Sequence, residues 1–501
     1  MLSEAMLTKH RLSKQESAAL AALTAAGLAL RLWRIGFQSL WRDETDAIAF
    51  ATQPLGDLLR MFLTPGENGP LYFLALRPWL ALFGKSEAAL RSLSALAGAA
   101  LIPLMFWLGK RLFGKRAGWI AAILTAVAPY AVWYSQEGKM YALVALLAAG
   151  SFACLWLGLE EGKRWAWAGY VLITTISLFV HYLTALLIPT FAIVFFIGLR
   201  RWKPRARGYL ASLALVTLPY LPFAAWQLPV WLSGFRTGHP FVPFPRALAS
   251  VLFGFSEGVR PLDTFWALVP FLLCLLAAWG SIQPRRRREH GETSLSFSVS
   301  SVPPWFVSIS SCTIWWAVPF VLLFAISLRS PLFVERYLIT TLPAFLLLVA
   351  AGLDNLLRRA KWLGILTAAA ILVVSLRGVW VQATQPIKPD MRAAAQYVCP
   401  RLSTGDAVIF LIPHVEPVFA RYCSVDYTPI SAPYTNDGQD EAAVRAKLDA
   451  ALQGRDTVWL VESEAYLWDE RGLARAALEA GWTMGENAEF NMVQVLYYGR
   501  K

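Results

Sequence analysis

Apolar residues in this chain come in blocks of about twenty, separated by short polar loops. That spacing predicts membrane-spanning helices, because about 20 residues at 1.5 Å per residue cross a hydrocarbon core roughly 30 Å thick. The blocks fall at residues 17–36, 89–109, 117–135, 140–159, 165–181, 183–199, 208–231, 263–282, 305–328, 337–353 and 362–380. One soluble core could not cover so many apolar helices. The block Ser17 to Gly36 is longer than a signal-peptide core and lacks a small-residue cleavage site, so it reads as the first span. Two stretches depart from the pattern. Residues 71–84 are apolar but short and interrupted by Arg77 and Pro78, which predicts an interfacial or re-entrant helix. Residues 47–63 read as a second surface helix, so the first loop, 37–88, is expected to be structured. The Ser-rich stretch Ser294–Pro304 reads as a linker.

After about residue 381 the pattern changes. Residues 406–411 and 457–461 have the form of short buried strands, and 441–453 and 469–480 that of helices. The expected architecture is an all-α polytopic membrane protein, residues 1–380, followed by a small α/β domain, residues 381–501. No internal repeat is visible.

Composition agrees with this reading. Of 501 residues, 57% are hydrophobic and only 16% charged, where a soluble domain has about a quarter charged. The net charge of +13 would suit nucleic acid were it not placed in short loops between spans. Lys110, Arg111, Lys115 and Arg116, then Lys163 and Arg164, then Arg200 to Arg207, then Arg285 to Arg288, then Arg358, Arg359 and Lys361 all fall on one side of an eleven-span map. The positive-inside rule makes that side cytoplasmic. A multi-pass plasma-membrane protein is expected, with its N-terminus inside, its C-terminal domain outside, and no nucleic-acid partner. Cys154, Cys274 and Cys312 lie in apolar surroundings and read as packing residues. Cys399 and Cys423 fall in the outer domain, where oxidation is permitted, and are candidates for a disulfide.

Charges are scarce in the apolar part, so those that remain there are informative. Arg42, Asp43 and Glu44 follow the first span. Gln136, Glu137 and Lys139 occupy a very short turn between two spans. Glu67 precedes the surface helix, and His181 sits where two spans meet. Glu335, Arg336 and Tyr337 open the tenth span. Each has a plain structural reading: a solvated pair, a helix cap, a hydrogen-bonded histidine, a snorkelling ion pair. On the deduced map all of them face the outer side, and that convergence favours a site. Arg31 and Arg34, at the end of the first span, are expected to snorkel to the interface or to meet an anionic headgroup.

These stretches resemble a known family. The first span ending Arg31-Leu32-Trp33 and followed by Trp41-Arg42-Asp43-Glu44 is similar to the GT-C glycosyltransferases. So are Asn68-Gly69-Pro70-Leu71-Tyr72, the run from Tyr134 to Leu143, and Glu335-Arg336-Tyr337-Leu338. The nearest group is the bacterial relatives of protein O-mannosyltransferases and of the lipid A aminoarabinose transferase, over roughly residues 25–355. One departure is Gly138-Lys139 where relatives often carry Ala-Arg, which keeps the charge but loses a bidentate clamp.

The resemblance implies a GT-C fold and transfer of a sugar from a polyprenyl-phosphate donor to a hydroxyl on a lipid, glycan or protein acceptor, with inversion, at the outer face. Asp43 is then the base or acceptor anchor and Glu44 its support or a metal ligand. Lys139, Arg336 and Arg42 neutralise the donor phosphate, and Gln136, Glu137 and Tyr337 contact substrate. Some relatives bind a divalent ion, for which Glu67 and His181 are the candidate ligands; no organic cofactor is expected. Two other classes fit parts of the pattern. A transporter or flippase of lipid-linked sugars would show inverted repeats and helices broken at mid-membrane. A non-catalytic GT-C-like subunit would use the outer domain for assembly.

Overall fold

The computed structural model describes residues 12–61, 68–232, 240–262, 264–280 and 304–501. The chain divides into two compact units, one of residues 1–33 and 53–382 and one of residues 34–52 and 383–501.

The first unit is helical. Each of the eleven apolar blocks contains a helix, but prolines and glycines divide several of them. Among the described residues five helices are long and apolar enough to cross a membrane: Glu87–Phe113, Tyr141–Glu161, Trp305–Ser327, Glu335–Arg359 and Lys361–Thr384. Two bent pairs raise the number to seven, and Leu71–Phe83, Arg164–Val180 and Phe265–Gly280 are shorter apolar helices. The expected span at 117–135 is one of the bent pairs, Lys115–Val127 and Pro129–Ser135, with an angle of 53°. The cause is local. Ala128 precedes a proline, which pushes it out of the helical region to φ −58°, ψ 117°, and Pro129 then starts a new helix.

The predicted interfacial helix is present at Leu71–Phe83. The predicted surface helix is not continuous: it is Arg42–Thr52 and then Leu55–Arg60, because Pro54 cannot continue a helix. A helix at Phe244–Glu257, entered through Pro243, lies in a loop where none was expected. The helices Lys14–Leu32, Glu87–Phe113 and Lys115–Val127 pack around Ile102, Phe106, Ala122 and Ala126, with Leu20, Leu23 and Trp119 against them. On the Lys/Arg-rich side, carboxylates knit the loops together. Glu161 pairs with both Arg111 and Lys163, Asp354 with Arg116 and Arg358, and Arg201 reaches Glu160 at 2.5 Å.

The second unit is built on a five-stranded sheet: β1 (Ala407–Phe410), β2 (Thr428–Ser431), β3 (Thr457–Ser463), β4 (Trp482–Phe490) and β5 (Val493–Arg500), in the order β2-β1-β3-β5-β4. Strand β1 runs parallel to β2 and β3, while β5 is antiparallel to β3 and β4. All four residues of β1 are buried, as expected of a parallel strand covered on both faces. Ile409, Leu460, Leu496 and Tyr498 form the core with Val444 and Leu448 of the helix Glu441–Ala451 and Leu478 of the helix Leu473–Gly481. Cys399 and Cys423 form a disulfide with Cα atoms 5.5 Å apart, as the sequence led us to expect.

Residues 34–52, read from the sequence as the end of the first span and the start of the outer loop 37–88, pack within this second unit. The Arg392 guanidinium donates to the carbonyls of Gly36 at 2.9 Å, Phe37 at 3.3 Å and Gln38 at 3.2 Å. The Gln38 side chain donates to Gln385 O and accepts from Ile387 N–H, and Leu40 N–H donates to the Tyr422 hydroxyl at 2.9 Å.

Candidate active site

In the first unit the sequence-derived candidates gather where helices break. The helix Pro129–Ser135 is wholly buried and hands over to Gln136, Glu137, Gly138 and Lys139 before the next helix begins at Tyr141. Glu137 is 2% exposed and Lys139 7%. The Lys139 ammonium stands 5.8 Å over the Phe73 ring, and its carbonyl accepts from Ser94 Oγ at 2.9 Å. His181 caps the helix Arg164–Val180 and is also buried. It lies within electrostatic reach of both Arg336 and Lys139, and its ring sits 5.8 Å from Tyr337 and 6.1 Å from Tyr141. Glu335 and Arg336 lie within electrostatic reach of Tyr130 and Tyr134, whose rings are 4.7 Å apart and pack, tilted or edge-on, against Phe255 at 5.1 Å and Tyr141 at 5.2 Å. The result is a cluster of Glu137, Lys139, His181, Arg336 and Tyr337 held in an aromatic setting. Glu137, Lys139 and His181 are buried there while Arg336 and Tyr337 stay partly exposed, and burial strengthens the charge interactions of the first three.

Arg31 sets the geometry of this cluster. It does not snorkel: it is 0% exposed. Its guanidinium donates to Thr125 O at 2.9 Å, Ala126 O at 3.1 Å, Gly27 O at 2.9 Å and Ser135 Oγ at 3.2 Å. Thr125 and Ala126 end the helix Lys115–Val127, where carbonyls lack partners within the helix and the dipole is negative. Arg31 therefore caps one half of the bent pair and grips the end of the other. Gln136 completes the brace by donating to Arg31 O at 3.0 Å and Trp33 O at 2.9 Å. Space around the brace is tight: a Cβ on Gly98 would lie 2.0 Å from Ser135 Oγ and 2.9 Å from Arg31 Nε. A Cβ on Gly138 would lie 2.4 Å from Cγ of the buried Leu90, so this turn has no room for a side chain there.

Arg42, Asp43 and Glu44 belong to the second unit and open the helix Arg42–Thr52, where acidic side chains suit the positive end of the dipole. Asp43 is half-buried. Arg42 is largely exposed and lies 3.7 Å from Asp46. Glu44 is 0% exposed and accepts from Lys388 Nζ at 3.0 Å, with the ammonium 5.3 Å over the Trp41 ring. Lys388 escaped the sequence reading because it stands in an ordinary polar stretch. So did His414, which lies near Arg42 and Asp46; partial burial and the Arg42 charge hold its imidazole below the usual value, so it is neutral at pH 7.

The Glu44–Lys388 pair invites a stability test. Removing one member of a buried pair typically costs about 3–5 kcal/mol, because the other charge is left uncompensated. Glu44→Ala is therefore expected to lower the unfolding temperature of the second unit, and Glu44→Leu with Lys388→Met to recover most of the loss. A scanning-fluorimetry midpoint for Glu44→Ala equal to that of the parent would remove this pair from the account.

Among the described residues the metal expectation finds no matching donor set. Glu67 lies outside the described residues. His181 Nδ1 accepts from Leu183 N–H at 3.2 Å. Among the described residues no group of three or more His, Cys, Asp or Glu could hold a metal ion.

Residues 67–226 match the family model described as dolichyl-phosphate-mannose-protein mannosyltransferase. No curated protein matches the chain at a significant level. Several solved structures do. ArnT from Cupriavidus metallidurans in the apo state is 14% identical, with 96% of this chain and 98% of that one covered and a TM-score of 0.60. The same protein bound to undecaprenyl phosphate is 13% identical over the same shares, also with a TM-score of 0.60. The Archaeoglobus fulgidus oligosaccharyltransferase in complex with Zn and sulfate is 13% identical, covering 96% of this chain and 73% of that one with a TM-score of 0.56. This chain thus has the GT-C membrane glycosyltransferase fold, and over residues 67–226 it carries the sequence pattern of the dolichyl-phosphate-mannose-protein mannosyltransferases.

Proposed function

We propose that this protein transfers a sugar from a polyprenyl-phosphate donor to an acceptor hydroxyl at the extracytoplasmic face of the plasma membrane, with inversion. The observation that carries the reading is that Lys139 and Arg336 both lie within electrostatic reach of the buried His181, whose ring sits 5.8 Å from that of Tyr337, at breaks between apolar helices. A lipid-phosphate donor is confined to the bilayer, so its catalyst needs positive charge at membrane depth. The ArnT structure with undecaprenyl phosphate and an archaeal oligosaccharyltransferase structure with dolichol-phosphate support a donor of that class. The Cys399–Cys423 disulfide supports an oxidising compartment for the C-terminal unit.

In this reading Lys139 and Arg336 stabilise the departing phosphate. Glu137 and Tyr337 contact the sugar. Asp43 takes the proton from the acceptor hydroxyl, and Glu44, through Lys388, positions the segment that carries Asp43. Arg42, largely exposed at the start of that helix, adds positive charge that neutralises the donor phosphate. The hydroxyl oxygen forms the new glycosidic bond, the sugar–phosphate bond breaks, and the phosphate leaves on its lipid.

A donor screen with the purified full-length chain in lipid nanodiscs tests the proposal directly: sugar release from a polyprenyl-phosphate donor into an acceptor glycolipid, glycan or peptide is expected. Lys139→Ala is expected to weaken donor binding as well as turnover, since the phosphate is charged before and after transfer. Loss of a charge-assisted contact of about 1.5–3 kcal/mol corresponds to roughly 10- to 150-fold in donor affinity. Unaltered donor affinity in Lys139→Ala would take Lys139 out of the phosphate site.

A further inference from the structure

On the Lys/Arg-rich side of the first unit, a cavity of about 1530 Å³ opens among the ends of the helices Glu87–Phe113, Tyr141–Glu161, Pro304–Ser327 and Leu342–Arg359. It is larger than an ordinary small-molecule pocket of about 300–1,000 Å³. Six basic side chains line it, Lys110, Arg111, Lys115, Lys163, Arg201 and Arg358, against three carboxylates, Glu160, Glu161 and Asp354. The carboxylates are oversubscribed. Glu161 is shared by Arg111 and Lys163, and Asp354 by Arg358 and Arg116. Arg116 and Glu16 pair with Asp354 and Lys115 from just outside the lining, so seven cations meet four carboxylates there, an excess of three positive charges with the cations held in place.

The remaining wall is of a different kind. Trp107, Trp156, Trp165 and Trp305 line it together with apolar side chains such as Leu157 and Ile309. Tryptophan of this sort favours the level of lipid headgroups. A free inorganic anion would need the cations but gain nothing from the indoles. A molecule with a phosphate at one end and hydrocarbon at the other uses both.

We propose that this cavity is a docking site for the phosphate headgroup of an anionic membrane phospholipid, separate from the sugar-transfer site and independent of it. The shared carboxylates orient the basic side chains toward the headgroup, and the tryptophans receive the upper acyl chains. Basic pockets between transmembrane helices are a general solution for anionic headgroups, each cation near the surface contributing about fivefold in affinity.

The test is native mass spectrometry of the delipidated full-length protein, titrated separately with phosphatidylglycerol, phosphatidylcholine and inorganic phosphate. Retention of phosphatidylglycerol over phosphatidylcholine is expected. The double variant Lys163→Gln, Arg358→Gln should lower phosphatidylglycerol affinity roughly 25-fold, two steps of about fivefold. Both carboxylate partners keep a second cation in that variant, so the fold is spared; should it aggregate, Lys163→Gln alone, with an expected loss of about fivefold, decides the matter. Arg359→Gln, outside the cavity, should leave binding unchanged. Equal retention of both lipids, or phosphatidylglycerol affinity unaffected by the double variant, overturns the proposal. So does binding of inorganic phosphate that falls in the variant without any preference for the anionic lipid.

Discussion

Asp43→Asn is expected to slow sugar transfer about 10²- to 10⁴-fold, the range a general base contributes, while leaving the fold and donor binding near normal. Asparagine keeps the size of aspartate and one acceptor oxygen but cannot take up a proton. The stability cost should be small, since the side chain is only half-buried at the first turn of the helix Arg42–Thr52. A lost favourable contact with the helix dipole amounts to about 0.3–1 kcal/mol. Turnover, donor affinity and unfolding temperature measured on one preparation separate the cases. A variant with near-normal turnover would end the base assignment, and Glu137 would be the next carboxylate to examine, because Glu44 is committed to Lys388.

Arg31→Met is expected to reduce turnover by about 10²-fold although Arg31 touches no substrate in the proposed mechanism. A displacement of about 1 Å in a catalytic group costs this much, and Arg31 fixes the turn from which Glu137 and Lys139 project. Stability should respond far less, because two effects oppose. The carbonyls of Thr125 and Ala126 lose their donor, at about 1–3 kcal/mol each. Against this, a buried guanidinium is removed that none of its hydrogen bonds pairs with a carboxylate, and relief of its desolvation is worth several kcal/mol. Arg31→Lys should fall between the two, since one ammonium cannot span both helix ends. If Arg31→Met unfolds readily but its residual folded fraction turns over normally, the brace is structural only. If the lost turnover is recovered in full by raising donor concentration, the displaced element is the phosphate contact rather than the substrate carboxylate.

The apolar blocks were legible because a bilayer demands long uninterrupted hydropathy, which a sequence displays directly. Their interruptions were legible only in part. Pro129 stood in plain view, yet a proline inside an apolar run is tolerated in membranes, and only the neighbouring carbonyls reveal that Arg31 uses the break. In the C-terminal unit β1 and β3 announced themselves as buried apolar runs. Strand β4 did not, since most of Trp482–Phe490 is exposed and polar. Among site residues, Lys139, His181 and Arg336 stood out as charges among apolar neighbours. Lys388 had no such contrast, and the place of 34–52 in the C-terminal unit depends on partners that no local periodicity encodes.

Glu44 and Lys388 are 344 positions apart, and that distance is also a time. At about 5–20 residues per second, a ribosome needs roughly 17–70 s to reach the lysine after finishing the glutamate. Throughout that interval the segment 34–52 has been delivered without the chain that holds it, and its carboxylate must remain hydrated. Most of the helices are inserted before the residues most closely tied to Asp43 are locked. A chain that stalls or is cut before residue 388 would therefore be a membrane bundle with its proposed base left unanchored.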